Sequence, residues 1–265
     1  MVIELYHNDM STCAQKVRLV LAEKGLEWKS HHLKLREGPQ LKADYLKLNP
    51  NGYVPTLIDN GSVVIESNII MEYLDDTYPE PSLRPENFVE RSAMRVWMRQ
   101  LDVDVHLATG FISNAVAFRH QHLSARPSLE EREIYYTNMP DPVRRKRLRE
   151  LVEEGLQSAL FQDAVRRFRK LFDNMEAALA NSPWLLSDVC SLADLAYVPY
   201  LTRFEHLNFS SILSDRPNLA DWYERTKDRP SYTVAIGDWL NAEYLTLMNE
   251  KGETALAQFE AIFNE

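Results

Sequence analysis

The stretch that decides the fold is NPNGYVPTLIDNGSVVIESNII, residues 49–70. Two short apolar runs, 54–58 and 63–65, flank an Asp-Asn-Gly-Ser segment, and such a pair of runs predicts a β-hairpin. The Asn-Pro-Asn-Gly in front of the hairpin is a strong turn signal, and Ser67 behind it opens an amphipathic helix. This segment therefore predicts a turn, a hairpin and a helix in immediate succession.

The residues before this stretch alternate between strand and helix signals. Ile3–Tyr6 predicts a first strand, and Ser11 or Thr12 can cap a helix that ends at Gly25. A second strand is expected over residues 28–35, followed by a short helix over 41–48 that leads into the turn. The predicted order of elements is βαβαββα.

The helical part of the chain begins after a proline-rich boundary. Three prolines within residues 78–85 interrupt any helix, so we expect domains at 1–78 and 87–265 joined by a linker at 79–86. The polar segment 120–142 is expected to be an extended connection within an insertion at about 119–165. Helical periodicity dominates about residues 89–109, 143–180, 192–207 and 219–226, and returns from 232 onward.

Composition and charge exclude several classes of protein. The net charge of −9 argues against a general nucleic-acid binder, and two cysteines cannot form a disulfide framework. No run approaches the roughly 18 apolar residues of a membrane span, and no secretory pattern is visible, so we expect a cytoplasmic protein. The basic run 144–149 continues into acidic residues and predicts a solvated helix face, with an anion- or partner-binding patch as the alternative.

Ser11-Thr12-Cys13 at the start of a helix is suited to a thiolate. First-turn amides and the helix dipole stabilise a negative sulfur, and a hydrogen bond from the Ser11 hydroxyl lowers a thiol pKa further. The alternative is that Ser11 is only a helix cap and Cys13 a small buried apolar residue.

Two downstream segments are suited to the backbone and head group of a peptide. Pro55 invites a cis bond, which leaves the N–H and C=O of Val54 for an added strand. Ser67 at a helix start suits a carboxylate, whereas Glu66 suits an ammonium group, so together they suit an α-amino-acid head group. Each of these residues could also be an ordinary turn or cap.

In this order and spacing the three segments resemble the glutathione transferase superfamily, and the resemblance covers nearly the whole chain. The helical part contributes the capping box Ser191-Leu192-Ala193-Asp194, which we interpret as folding residues, and 216–219 with Trp222-Tyr223. The resemblance implies a thioredoxin-like βαβαββα domain followed by an all-helical domain that carries the site for an electrophile.

The resemblance also implies residue roles. Val54 would bond to the cysteinyl unit of glutathione, Glu66 and Ser67 would hold the γ-glutamyl group, and Gln40 would contact the glycyl carboxylate. The implied glutathione-binding residues are Ser11, Gln40, Tyr53, Val54, Pro55, Glu66 and Ser67. Ser11 and Cys13 are the implied catalytic residues, and no metal is implied.

Within the superfamily, MSTCAQKVR at 10–18 and LTRFEHLN at 201–208 are most similar to the bacterial tetrachlorohydroquinone reductive dehalogenase, β-etherase and zeta-like branch. This branch implies conjugation, aryl-ether cleavage or dehalogenation of a hydrophobic electrophile, in detoxification, by a homodimer. One alternative is glutathione-dependent thiol–disulfide or reductive dehalogenase chemistry through Cys13, which would form a mixed disulfide. Another is a non-catalytic glutathione-binding or scaffold protein.

Other side chains have a functional and a structural interpretation. Tyr6 could replace Ser11 as activator, but its place inside a strand favours a core aromatic residue. The histidines that could suggest a metal, and that we expect to be polar loop residues, are His106, His120 and His122. The aromatic residues that could line an electrophile pocket or belong to the core are Trp97, Phe111, Phe118 and Phe168.

Overall fold

A computed structural model describes residues 2–139 and 141–265. The chain divides into two compact units, each made of three segments. The first unit comprises Met1–Met98, Ala178–Leu201 and Ala220–Asn241, and the second comprises Arg99–Ala177, Thr202–Leu219 and Ala242–Glu265. No helix in the described ranges combines the length and the apolar character that crossing a bilayer requires.

The first unit contains a four-stranded mixed sheet in the order β2-β1-β3-β4. Strand β1 (Ile3–His7) is parallel to β2 (Trp28–His32) and antiparallel to β3 (Thr56–Asp59). Strand β4 (Ser62–Ile65) is antiparallel to β3. Helix α1 (Thr12–Glu23) follows β1, and a short α2 (Ala43–Leu46) and then α3 (Ser67–Thr77) complete the predicted βαβαββα order.

The local sequence explains these elements. Leu5 and Leu57 are fully buried in the sheet, and the apolar residues of α1 that are at most 1% exposed are Ala14, Val17, Leu19, Val20 and Leu21. The hairpin turn has positive φ at Asn60 (48°) and Gly61 (86°), which is the geometry that Asn-Gly favours between antiparallel strands. Gly25, with φ of 60°, follows the last turn of α1 as predicted.

The boundaries of two predicted elements were wrong. Strand β2 ends at His32 because the chain then forms a 3-10 turn, Leu35–Glu37, that leads to Gly38 with φ of 75°. The predicted short helix is shorter than expected and is preceded by a second 3-10 turn, Pro39–Leu41. The helices that follow β2 in the first segment of the chain are α2 (Ala43–Leu46), α3 (Ser67–Thr77) and α4 (Phe88–Gln100).

The remainder of the described chain is largely helical. Two π-helical segments, Leu101–Val105 and Asn114–Phe118, flank α5 (His106–Ser113). The later helices are α6 (Arg119–Ala125), α7 (Leu129–Thr137), α8 (Pro142–Glu154), α9 (Ala159–Leu179), α10 (Leu192–His206), α11 (Pro217–Lys227), α12 (Pro230–Ala235) and α13 (Ala242–Phe263).

The prediction of an extended connection at 120–142 was wrong, because α6 and α7 occupy most of it. A capping box starts α7: the Ser128 hydroxyl accepts from the Glu131 amide, and the Glu131 carboxylate accepts from Ser128. Arg132 of α7 then forms a two-point ion pair with Glu153 of α8, at 2.7 and 2.9 Å. These contacts make a polar sequence helical, and its polarity alone predicted a loop.

The capping box at the start of α10 is present as predicted. The Asp194 carboxylate accepts from the backbone amide and the hydroxyl of Ser191, both at 2.9 Å. It also accepts from the Leu185 amide and from Trp222 Nε1, at 2.9 and 3.0 Å. Asp194 therefore joins the segment Ala178–Leu201 to Trp222 in the segment Ala220–Asn241, and this structural role agrees with our interpretation of the capping box.

The second unit has an aromatic core. Phe204 lies 4.6 Å from Phe168 and 5.2 Å from Phe172, ring centre to ring centre, and Phe209 stacks on Phe259 at 4.0 Å. Phe168 is 1% exposed, so it is a core residue rather than part of a solvent-facing pocket.

Candidate functional site

The register of the sheet brings three predicted segments to one end of it. Tyr6 of β1 pairs with Thr56 of β3, and Thr56 pairs with Ile65 of β4. Because β3 is antiparallel to both neighbours, the chain after Tyr6, before Thr56 and after Ile65 lies at the same end of the sheet. The helix start after β1, the Val54–Pro55 segment and the Glu66–Ser67 segment therefore converge there.

Ser11 is the N-cap of α1. Its Oγ accepts a hydrogen bond of 3.3 Å from the Ala14 amide, so its hydrogen can still be donated to a ligand. Thr12 is buried at the first position of the helix, whereas Cys13 at the second is half-buried and is not in a disulfide. The first turn of α1 therefore presents one hydroxyl and one thiol next to a helix N-terminus.

Val54 offers an open stretch of backbone next to this helix start. The Val54–Pro55 bond is cis, as expected, and within the described ranges neither the N–H nor the C=O of Val54 forms a hydrogen bond. The preceding carbonyl, of Tyr53, is held by the Tyr45 hydroxyl at 2.6 Å and by the Asn49 amide at 2.9 Å. The turn is thus anchored while the Val54 groups can pair with a ligand.

Glu66 and Ser67 lie at the N-terminus of α3. Ser67 is buried at the first helical position, and Glu66 is exposed with one carboxylate oxygen 3.3 Å from the Asn51 amide. Glu66 has φ of 71° and ψ of 114°, a conformation that costs a non-glycine residue about 1–3 kcal/mol. Strained backbone of this kind clusters at ligand sites, which agrees with a head-group site here.

Gln40 is placed less favourably for the role that the resemblance implied. Its Nε2 donates to the Leu35 carbonyl at 3.1 Å, while its buried Oε1 has no donor within the described part of the chain. The amide nitrogen, which a carboxylate would need, is therefore engaged inside its own loop. A contact between Gln40 and the glycyl carboxylate stays a prediction.

The alternative candidates lie elsewhere. Tyr6 is inside β1 as predicted, but it is half-buried rather than in the core and stacks on His31 at 4.3 Å. His106, His120 and His122 lie in helices α5 and α6, so the prediction of loop histidines was wrong. Burial and then nearby cations lower the pKa of His120, and the described residues contain no cluster of three metal-binding side chains.

Three of the aromatic candidates remain half-buried. The Trp97 ring meets Tyr197 edge-on at 5.5 Å, Phe118 meets Tyr244 at 5.9 Å, and Phe111 lies under the Arg147 guanidinium. Only Phe168 is assigned, to the core of the second unit.

Sequence reasoning missed the buried cations of α1. Lys16 and Arg18 are 0% and 1% exposed, although charged residues at helical spacing predict a solvated face. Lys16 Nζ donates to Asn68 Oδ1 at 2.9 Å, next to the head-group segment. No local pattern marked their burial, because Lys16 bonds to a residue 52 positions away and Arg18 to one 217 positions away.

Two family models match this chain. The N-terminal domain model of glutathione S-transferase matches residues 10–77, and the C-terminal domain model matches residues 143–225. The chain belongs to the glutathione transferase family. Within it, this glutathione transferase is 28% identical over 258 residues to glutathione S-transferase TCHQD of Arabidopsis thaliana, across 93% of the chain and 94% of the relative.

Two bacterial relatives are similar over most of their length. Tetrachloro-p-hydroquinone reductive dehalogenase of Sphingobium chlorophenolicum is 28% identical over 241 residues, which cover 88% of this chain and 95% of the relative. The crystal structure of beta-etherase LigF from Sphingobium sp. strain SYK-6 superposes with a TM-score of 0.77 and 27% identity, covering 90% of this chain and 100% of that one. The predicted family and branch, the two-part fold and the glutathione transferase class of enzyme are confirmed.

Proposed function

We propose that this glutathione transferase binds glutathione at the end of the sheet where these segments converge and activates its thiol with Ser11. The convergence of the α1 start, Val54–Pro55 and Glu66–Ser67, which follows from the Tyr6–Thr56–Ile65 register, is the observation that supports this most. A tripeptide that lies across that end of the sheet meets polar groups suited to each of its units.

The extended tripeptide is held by complementary groups. The Val54 N–H and C=O pair with the cysteinyl unit as an added strand would. The α-carboxylate of the γ-glutamyl unit accepts from Ser67 and from the first amides of α3, and its ammonium group faces the Glu66 carboxylate. This arrangement places the glutathione sulfur at the start of α1.

Ser11 then acts on the sulfur. Its Oγ accepts from Ala14, so the hydroxyl hydrogen is left for the ligand, and donating it to the sulfur stabilises the thiolate more than the thiol. The thiolate attacks an electron-poor carbon of a hydrophobic electrophile, a sulfur–carbon bond forms, and the leaving group departs with its electron pair. The dehalogenase and the etherase among the relatives support aryl-halide and aryl-ether substrates.

A second candidate function uses Cys13. Its half-buried thiol lies two residues after Ser11 in the first turn of α1, where a helix N-terminus favours a thiolate. There its thiolate attacks the sulfur of a glutathionyl–substrate conjugate: the Cys13–glutathione disulfide forms as the sulfur–carbon bond breaks, and the carbon leaves with the electron pair and takes up a proton. The similarity to a reductive dehalogenase favours this candidate over a non-catalytic scaffold.

The two candidates are separated by paired variants. We expect Ser11→Ala to lower kcat for a chlorinated aromatic about 100-fold, the scale of losing one donor to a developing anion, while Cys13→Ser stays close to wild type. A loss of activity in Cys13→Ser, with a mixed disulfide visible by mass spectrometry of the wild type, would establish the second candidate instead.

Glutathione binding itself is tested by thermal unfolding with millimolar glutathione, because a ligand raises stability by mass action. An unchanged unfolding temperature would exclude both candidate functions.

We also propose a cytoplasmic homodimer with no nucleic-acid or membrane partner. Phe88 and Val89 of α4 are 79% and 78% exposed, and the exposed Val96 lies on the same helix face as Val89, two turns further along. Apolar side chains so open to water are typical of a surface that another protein covers, and in a symmetric dimer the same face of a second copy covers it.

A further inference from the structure

Arg18 is the most completely buried arginine among the described residues of the first unit, and its four hydrogen bonds all go to neutral acceptors. Nε donates to the Ala235 carbonyl at 2.7 Å. Nη1 donates to the Asn8 carbonyl at 2.9 Å and meets His7 Nδ1 at 3.1 Å, and Nη2 donates to the Asp9 carbonyl at 2.9 Å. The Trp239 ring lies 5.2 Å from the guanidinium carbon. One planar group therefore holds two consecutive carbonyls of the chain that leads to Ser11.

The segment that Arg18 holds, residues 8–11, is here called the thiol loop. It belongs to neither β1 nor α1, so its backbone is fixed by side-chain hydrogen bonds rather than by those of a sheet or helix. Asn8 Nδ2 donates to the Leu33 carbonyl at 3.0 Å, and the Met10 amide donates to Asn8 Oδ1 at 3.1 Å. Asn241 Nδ2 also donates to Asp9 Oδ2, at 3.0 Å. The thiol loop is thus held by Arg18, which binds its backbone carbonyls, and by Asn241, which binds the Asp9 side chain.

His7 completes this arrangement as a neutral acceptor. Its burial, and then the Arg18 charge, lower the pKa of His7 to about 3, so the ring is uncharged at neutral pH. Because Nδ1 accepts from Arg18, the proton lies on Nε2, which donates to Ser30 Oγ at 2.8 Å. The imidazole therefore satisfies the guanidinium without adding a second positive charge.

The Arg18 charge itself persists. Burial lowers the pKa of Arg18 to about 9, while the Asp9 charge opposes that shift, so the guanidinium stays protonated at neutral pH. The Asp9 carboxylate is directed at Asn241 and at His32, 3.6 Å away, rather than at the guanidinium. A buried cation then lies under the N-terminus of α1, where it adds to the positive potential of the helix dipole.

We propose that Arg18 is a positioning residue for the thiol site: its guanidinium fixes the thiol loop so that the Ser11 hydroxyl faces the glutathione sulfur. This inference rests on the proposed function. Lysine cannot replace arginine here, because an ammonium group lacks the planar fork that reaches two carbonyls and the imidazole together.

The test measures the pKa of the thiol of bound glutathione by its ultraviolet absorbance against pH. We expect Arg18→Lys to raise that pKa by about 1 relative to wild type and to lower kcat about tenfold below the pKa, with KM for glutathione little changed. The matched control is Arg203→Lys, a second buried arginine, which bonds to Ser113 at 3.0 Å in the second unit. It should lose stability without moving the thiol pKa.

Each outcome bears on one proposal. A folded Arg18→Lys variant with the wild-type thiol pKa overturns the positioning role. If Arg18→Lys does not fold, Asn241→Ala loosens the thiol loop by removing the bond to Asp9. An unchanged pKa of the bound glutathione thiol in that variant overturns the inference. If wild-type protein itself leaves the glutathione pKa unperturbed, the proposed activation by Ser11 fails and not the role of Arg18 alone.

Discussion

Gly252 shows how one residue limits the packing of the second unit. It lies in the middle of α13 and is buried, and a Cβ built on it would overlap the backbone carbonyl of Leu207. Glycine is normally unfavourable inside a helix. Here the absence of a side chain lets α13 contact the residue that follows α10.

A pair of glycine-to-alanine changes tests this contact. We expect Gly252→Ala to lower the free energy of unfolding by about 3 kcal/mol, since the obstacle is backbone and cannot move aside. Gly110→Ala in α5 meets no atom within 4 Å and should raise it by about 0.5–1 kcal/mol through helix propensity. Urea unfolding of both variants measures the difference, and equal effects would contradict the close approach.

At the same scale, the sequence identified the residues of the candidate site that follow a local rule. Ser11 as a cap, Pro55 after a cis bond and Ser67 at a helix start depend on their immediate neighbours, so a linear pattern predicts them. Arg18 could not be predicted, because its acceptor at Ala235 is 217 positions away. Long-range contacts of this kind carry no local signal.

At the scale of elements, α1 and α12 are joined by one ion pair. Glu23 in the last turn of α1 accepts from Arg229 Nε and Nη2, both at 2.6 Å, and from the Ser231 hydroxyl. Burial raises the pKa of Glu23, but these hydrogen bonds outweigh burial and leave the pKa below its ordinary value. The pair therefore stabilises the fold while Glu23 is charged.

The sign of the pH dependence follows. A carboxyl whose pKa is depressed by folding contributes stability above the unfolded pKa of about 4.3, and that stability is lost as pH falls through the folded pKa. We expect Glu23→Gln to lower the free energy of unfolding by about 1–3 kcal/mol at pH 7, with the difference from wild type shrinking in acid. Glu37→Gln, which removes an exposed partner of Lys34, is the control. A difference that grows in acid would contradict this assignment.

Element type was predicted better than element length. The βαβαββα order follows from alternating apolar runs, whereas β2 ended early because the chain enters the 3-10 turn Leu35–Glu37, which no periodicity indicates. Helices α6 and α7 were missed because their stabilising partners are distant in sequence: Arg119 donates to the Val152 carbonyl, and Arg132 pairs with Glu153. A polar sequence became helical through those arginines.

At the scale of the whole molecule, the exposed apolar face of α4 predicts self-association. We expect wild-type protein to sediment as a dimer and Phe88→Asp as a monomer, because a buried, unpaired carboxylate is strongly unfavourable. Val143→Asp, which changes an exposed apolar residue of α8, is the matched control and should remain dimeric. A wild-type monomer, or a dimeric Phe88→Asp, would contradict the proposal.

The composition of the first unit has a consequence for the order of events at the ribosome. Its third segment ends at Asn241, which holds Asp9 in the thiol loop, and Ala235 accepts from Arg18. A nascent chain that has exposed only its first hundred residues lacks both partners. The thiol loop therefore reaches its final arrangement only after residue 241 has left the exit tunnel, although the strands beneath it are among the first residues synthesised.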